Sequence, residues 1–285
     1  MDALYTTKQK RIILPKIKDT INLYLFGDVH RDAENCDADR WKYFLKQSKK
    51  DDEESTYYLG LGDYHDFASY SEQKAIKNSG LHETTMLRLN KMVRQDVEFF
   101  TDEIKHMKGK VLGFVEGNHT WEFENGQTAT QLLCEKMETE YLGWITHYTL
   151  TFQIHSRVQN VYIVACHGKA GGKRAGASIN QVEDLKVIFP AADIYVMGHD
   201  HNRGAWPIDV LLPYNGQNGV RIKQKRQFLC RSGSFLKGYE SGKGGYVASR
   251  LLRPADLGAL KLIIGFHRSQ KDGDDRMITD IKAVI

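Results

Sequence analysis

Asp28, His30, Asp63, Asn118, His119, His167, His199 and His201 stand in short glycine-bearing motifs spread along a 285-residue chain. The motifs read Gly27-Asp28-Val29-His30, Gly62-Asp63, Gly117-Asn118-His119, His167-Gly168 and Gly198-His199-Asp200-His201. Carboxylates, amide oxygens and neutral imidazoles all present lone pairs to a cation. With His119 set aside, seven such donors remain, and a single tetrahedral zinc needs only about four. Two ions sharing one carboxylate would use them all. Mixed imidazole and carboxylate ligation suits manganese, iron, zinc, cobalt or nickel better than calcium or magnesium, which prefer oxygen shells. Two such ions side by side clamp a phosphoryl group and activate water. Taken singly, a Gly-Asp pair or a Gly-Asn-His reads as a turn. A Gly-His-x-His says more, because histidines at i and i+2 on a loop can chelate.

Such donors act together only if separate segments converge, and the apolar pattern supplies those segments. Each motif follows an apolar run of strand length, at 21–26, 56–61, 111–116, 161–166 and 193–197. Strand carboxyl ends are where open α/β sheets place ligands, and glycine there lets the backbone turn sharply. Between the strands, a helix capped by Asp37 or Asp39 carries Trp41, Phe44 and Leu45 on one face. A longer helix over 82–107 places Met86, Leu89, Val93, Val97, Phe100 and Ile104 in one stripe. Further helices are expected at 128–141 and 177–189, strands at 148–154, 227–231, 245–251 and 260–267, and a loop at 51–54. No repeat, low-complexity tract or proline-rich linker interrupts the chain. The expectation is a single domain over 1–285, with a motif-bearing core at about 21–205 and strands at about 227–267 completing the sheets.

Composition removes several function classes. Forty Lys and Arg against 36 Asp and Glu leave a net charge of +4, too weak a bias to mark a nucleic-acid binder. The pI near 8.7 permits anionic partners without requiring them. A hydrophobic share of 41% supports a sizeable core and excludes disorder as a global description. The longest apolar runs fall far short of the roughly 20 residues a membrane helix needs. The first residues show no signal-peptide pattern, and Cys36, Cys134, Cys166 and Cys230 form no C-x-x-C pair. They read as reduced, mostly buried thiols of a cytoplasmic protein.

Together, the five motifs resemble those of the calcineurin-like metallophosphoesterases, over about residues 21–205. The resemblance implies an α/β fold, a four-layer α/β/β/α sandwich with a dinuclear metal site at the strand C-terminal ends. By motif position, one ion would be held by Asp28, His30, Asp63 and His201. The other would take Asp63, Asn118, His167 and His199, so that Asp63 bridges. His119 would sit over the scissile phosphate, as proton donor to the leaving oxygen or as stabiliser of developing charge. The implied activity is hydrolysis of a phosphomonoester or phosphodiester by attack of a metal-bridging hydroxide. The implied cofactors are two divalent transition-metal ions, manganese first, with iron, zinc, cobalt or nickel as alternatives. The implied partner is a phosphoester, either a small molecule or a nucleic acid.

The chain departs from that pattern in places. Asp66 is kept, but Phe67 follows it where the phosphoprotein phosphatases place an arginine, which argues against a protein substrate. Thr120 follows Gly-Asn-His where an acid is usual, so the support of His119 is open. The glycine-rich basic loop 168–176 is similar to that of phosphoesterases encoded by phages and prophages. Its Lys169, Lys173 and Arg174 are candidate substrate contacts, and the alternative is a solvated surface loop. His65 is expected to be structural and Asp200 to face solvent. The rival enzyme reading is a nuclease, supported by that loop and the basic segment 221–226, for which a solvated hairpin is the plainer account. The rival from another class is a non-catalytic scaffold of the same fold. Such relatives lose ligands, whereas all seven donors and His119 are present here.

Overall fold

A strand covered on both faces needs apolar side chains on both faces, and residues 21–26 meet that demand apart from Asn22. In the computed structural model they form β2 (Ile21–Phe26), buried along its whole length. The structure describes residues 5–51, 55–169, 174–216, 219–239, 251, 254, 256–269 and 276–285. Strands β3 (Thr56–Gly60) and β4 (Val111–Phe114) follow β2 in parallel. On its other side β10 (Leu260–Ser269) runs antiparallel, and β11 (Arg276–Val284) pairs antiparallel with β10, giving the order β11-β10-β2-β3-β4. A second mixed sheet holds β1 (Thr6–Leu14), β5 (Ile145–Ile154), β6 (Arg157–Cys166), β7 (Ile194–Met197), β9 (Gly219–Ser232) and β8 (Arg203–Gly216), in that order.

Three apolar clusters set the layers. Leu23, Leu25 and Leu59 from the first sheet meet Leu150, Ile163 and Val196 from the second. Behind the first sheet, Phe26, Tyr58 and Phe114 pack on α1 (Ala38–Asp51), α3 (Glu83–Ile104) and α4 (Ala129–Met137) through Trp41, Phe100 and Leu133. Behind the second, Val164 and Tyr195 pack on Val182 and Leu185 of α5 (Ala175–Ile188). The result is helix, sheet, sheet, helix. Asp37, not Asp39, caps α1, its Oδ1 accepting from the Arg40 amide at 2.9 Å. The stripe expected on the long helix buries Val93, Val97, Phe100 and Ile104. The helix itself gives way to a 3₁₀ turn at Lys105–Met107.

Four elements were not legible. Helix α2 (Tyr70–Asn78) buries Gln73 but shows no continuous apolar stripe. Edge strand β1 turns only Ile12 and Leu14 fully inward, so its Lys and Thr residues hide the alternation. Strand β8 and the outer half of β9 form a hairpin longer than the sheet that carries it, since β7 pairs only with Phe228 to Arg231. Strand β11 lies at the other sheet's edge, beside β10. The expected strand at 245–251 lies, but for Leu251, outside the described residues, as do residues 52–54 of the expected loop; Asp51 ends α1. Among the described residues no helix is long and apolar enough to cross a membrane. The four cysteines are unpaired.

The outer helical layer hangs on Trp41. It is fully buried, stacks on Phe100 at 5.6 Å and meets Phe235 edge-on at 5.0 Å, while its indole N–H donates to Glu103 at 3.0 Å. Trp41→Ala should therefore cost about 3–5 kcal/mol of stability, read as a lower urea midpoint. A loss below about 1 kcal/mol on that measurement would show that the layer does not depend on this contact.

Candidate metal centre

The five strand ends meet between the sheets, and their backbones are bent to do so. Asp28, His30, Asp63, His199 and His201 all have positive φ, at 48°, 45°, 50°, 70° and 57°. Left-handed backbone costs a non-glycine residue about 1–2 kcal/mol, so it persists where neighbours hold it in place. Here the turns hold one another. The Asp28 amide donates to the Gly62 carbonyl at 3.0 Å, the Val29 amide to Asp63 at 2.8 Å, and the His199 amide to both Asp28 carboxylate oxygens at 2.9 and 3.1 Å. Glycine is obligatory at two of these crossings. A Cβ on Gly117 would collide with the Asp63 carboxylate and amide, and one on Gly62 would lie 2.6 Å from His167 Nδ1.

Three groups of donors result: Asp28 with His30 and His201, Asp63 with His167 and His199, and His30 with Asp66 and His119. The hydrogen positions follow from the partners. His167 Nδ1 lies 2.7 Å from the Leu61 carbonyl, an acceptor only, so Nδ1 carries the hydrogen. Its Nε2 then faces Asp63 Oδ2 at 3.1 Å, Asn118 Oδ1 at 2.9 Å and His199 Nδ1 at 3.0 Å. Three further lone-pair atoms thus lie at about hydrogen-bond distance around that one nitrogen. Likewise His30 Nδ1 is 3.0 Å from Asp66 Oδ1, which leaves Nε2 buried and without a hydrogen-bond partner, 3.9 Å from Asp63 Oδ2. Opposite, His201 Nε2 stands 3.4 Å from Asp28 Oδ1. Carboxylate and amide oxygens crowded together with imidazole nitrogens are the donor set a cation takes, and the residues fit such ions. Asp66 behind His30 stands where a carboxylate would orient an imidazole toward a metal.

Without a cation, protons must do the same work. Burial would lower the His167 pKa, but Asp63 more than offsets this and lifts it to about 9. His199 is pushed down to about 4, by burial and by the neighbouring His167 charge. Burial would raise Asp63, yet the facing His167 and His30 hold its carboxyl far below the usual range.

His119 is placed differently. Its amide donates to Asp63 Oδ1 at 2.9 Å, while its ring Nδ1 lies 2.9 Å from Asp66 Oδ1 and 3.2 Å from the Phe67 carbonyl. The hydrogen bond to Asp66 raises its pKa to about 9, and Nδ1–H so engaged leaves Nε2 free for chemistry. Asp66 therefore answers the question left open by Thr120, whose hydroxyl is buried without a partner. Gln73 of α2 fixes the same loop, its amide donating to the Thr120 carbonyl and accepting from the Glu122 amide at 3.0 Å. His65 is structural as expected, stacked on Phe67 and bonded to the Asp96 carbonyl at 3.2 Å.

Other expectations need correction. Asp200 does not face solvent: its side chain is 5% exposed and lies 3.3 Å from the fully buried guanidinium of Arg231. The basic segment 221–226 is not at the site. A strand advances about 3.3 Å per residue, so along β9 it begins about 17 Å beyond Arg231. Arg226 there is paired with Asp209 at 3.0 and 3.1 Å, and Lys225 with Asp193 at 2.8 Å. In the loop 168–176, Lys169 and Arg174 are exposed, with Lys169 at 3.9 Å from Asp184, while Lys173 lies outside the described residues. Sequence reasoning passed over Arg231, although a lone arginine closing the apolar run Phe228-Leu229-Cys230 was a signal.

No protein-family model matches the chain, and no curated protein matches it. Solved structures similar to it include vacuolar protein sorting 29 from Cryptosporidium parvum, at 12% identity and a TM-score of 0.36, covering 94% of this chain and 100% of that one. A conserved uncharacterized protein from Streptococcus pneumoniae, described as a predicted phosphoesterase, gives 12% identity and 0.32, covering 92% and 98%. GAP50, the anchor in the inner membrane complex of Plasmodium, gives 16% and 0.40, covering 92% and 88%.

If a cation replaces the proton on His167, binding must release that proton. Adding Mn²⁺ to metal-free protein in weak buffer at pH 7 should release at least about one proton per chain, read with a pH indicator. Binding without release would place the ion away from His167.

Proposed function

We propose that the chain is a dinuclear metal-dependent phosphoesterase that hydrolyses phosphomonoester or phosphodiester bonds. The observation that carries this reading is the packing of Asp63 Oδ2, Asn118 Oδ1 and His199 Nδ1 around His167 Nε2, beside the orphaned His30 Nε2. Asp28, His30, Asp63 and His201 would hold one divalent transition-metal ion, manganese first among the candidates. Asp63, Asn118, His167 and His199 would hold the other. Bound there, the ions would polarise the phosphoryl oxygens and make water a stronger nucleophile at neutral pH.

The remaining work falls to side chains. Asp66 holds both His30 and His119, orienting the first as a ligand and the second as an acid. His119 keeps its proton at neutral pH because Asp66 faces it, and two bound cations would draw its pKa down toward the working range. From Nε2 it delivers that proton to the departing oxygen. Phe67, in place of an arginine, leaves the Asp66 side of the site without the bidentate clamp suited to a dianionic monoester. The phage-type character of loop 168–176, its role in binding substrate, a cytoplasmic location and a single-domain organisation belong to the same proposal. The unpaired cysteines support the location, the basic loop composition supports its phage-type character and its substrate role, and the core shared by the two sheets supports a single domain.

Wild-type protein loaded with Mn²⁺ should retain about two ions per chain after desalting and cleave a nitrophenyl phosphoester. Asp63→Asn should retain fewer than any other single-ligand variant, because its carboxylate serves both ions. Elemental analysis in which Asn118→Ala loses both ions while Asp63→Asn keeps them would move the bridge elsewhere.

His119→Ala should keep its metal and lose about 10²–10⁴-fold in turnover on an alkyl ester. The loss should be smaller on nitrophenyl esters, whose leaving groups need little protonation. Equal losses on both substrates would make His119 a stabiliser of charge, not an acid.

A further inference from the structure

Two of the candidate ligands, His199 and His201, share one loop and both sit in left-handed backbone, at φ of 70° and 57°. Asp200 between them points the opposite way, into the protein. Its carboxylate accepts from the Ser178 hydroxyl and from the Asn202 amide at 3.1 Å, and lies 3.3 Å from Arg231 Nε. Arg231 is completely buried near the end of β9, an unusual place for a guanidinium. It donates to the Gly198 carbonyl at 2.7 Å, at the root of the same loop, and twice to the Ser178 carbonyl, at 3.1 and 2.9 Å. The hydrogen bonds of Arg231 go to Gly198, Ser178 and Gln181 and not to a candidate ligand's side chain, so beyond the long-range pull of its charge on Asp28 it acts through the loop.

We propose that Asp200 and Arg231 are positioning residues of this centre. Their buried ion pair holds the loop from below, so that the left-handed turns at His199 and His201 aim both imidazoles at the proposed metals. The inference rests on the metal reading given above. Packing alone does not explain the pair. An arginine and an aspartate are costly to bury, and an apolar pair would fill the space as well, whereas only this planar fork grips the Gly198 carbonyl, the Ser178 carbonyl and the Asp200 carboxylate together. Through Ser178 the same fork fixes the first turn of α5, the helix that follows the glycine-rich loop 168–176. Loop and ligands are thereby tied to one side chain.

The test is a Co²⁺ titration of wild type, Asp200→Asn, Arg231→Lys and Ser178→Ala, followed by the visible absorption of the bound ion, with far-UV circular dichroism to confirm folding. Asp200→Asn and Arg231→Lys should weaken Co²⁺ binding at least tenfold and shift its absorption band. If either fails to fold, Ser178→Ala, which removes one donor to Asp200, should still weaken binding about threefold with a shift in the same direction. Folded variants with wild-type affinity and an unchanged band overturn the proposal, whatever their melting temperatures. A wild-type chain that takes up no Co²⁺ overturns the metal reading and this inference with it. Uptake of two ions by wild type and variants with the same affinity and the same band overturns this inference alone.

Discussion

Lone pairs repel, and a protein that sets three of them around a fourth must place a proton or a cation among them. In this chain His167 Nε2, Asp63 Oδ2, Asn118 Oδ1 and His199 Nδ1 impose that requirement. Much of the architecture serves it. The donors come from four strand ends in two different sheets, so the sheets must be stacked with those ends together. The strands must then stop abruptly, which accounts for left-handed turns at residues other than glycine and for glycines where a Cβ would strike a ligand. The outer helices enter the argument last, as the cover that lets apolar strands such as β2 be buried on both faces.

The site was legible because its chemistry is punctuated. An apolar run ending in a glycine beside an acid, an amide or a histidine is a local pattern, and each of the five instances lies at the end of a strand in the structure. The parts that failed to show are those whose meaning is non-local. Asp200 reads as a solvated residue between two histidines until Arg231, thirty-one positions away, is folded against it. Asp66 was visible as an acid, but its grip on both His30 and His119 exists only once β2 and β4 flank the turn after β3. Strands β1 and β11 are sheet edges, and an edge strand can be mostly polar, so alternation gave them no signature. Helix α2 escaped for a related reason: Gln73, its one fully buried side chain among those described, is polar and spends its amide on another loop.

Asp66 also joins two tasks that are usually discussed apart. One oxygen faces His30 at 3.0 Å and His119 at 2.9 Å. The imidazole that would bind a cation and the one that would give up a proton therefore compete for a single acceptor. Any gain in charge on one weakens the hold of Asp66 on the other. Proton donor and cation are coupled in this way without touching.

The β8–β9 hairpin carries Leu211, Val220 and Ile222 well exposed on one face, and β8 is the last strand of its sheet. A long open edge of this kind is a template on which another chain can add a strand. Two prolines oppose that. Pro207 faces Phe228, whose amide donates away from β8 to Asp193 at 2.8 Å, so the missing amide hydrogen of Pro207 falls on the open side. Pro213 lies six residues further along, on the same side by the alternation of the ladder. An incoming strand would find its acceptors facing pyrrolidine rings at both places. The hairpin can thus extend far beyond its sheet while its open side resists growth into fibres.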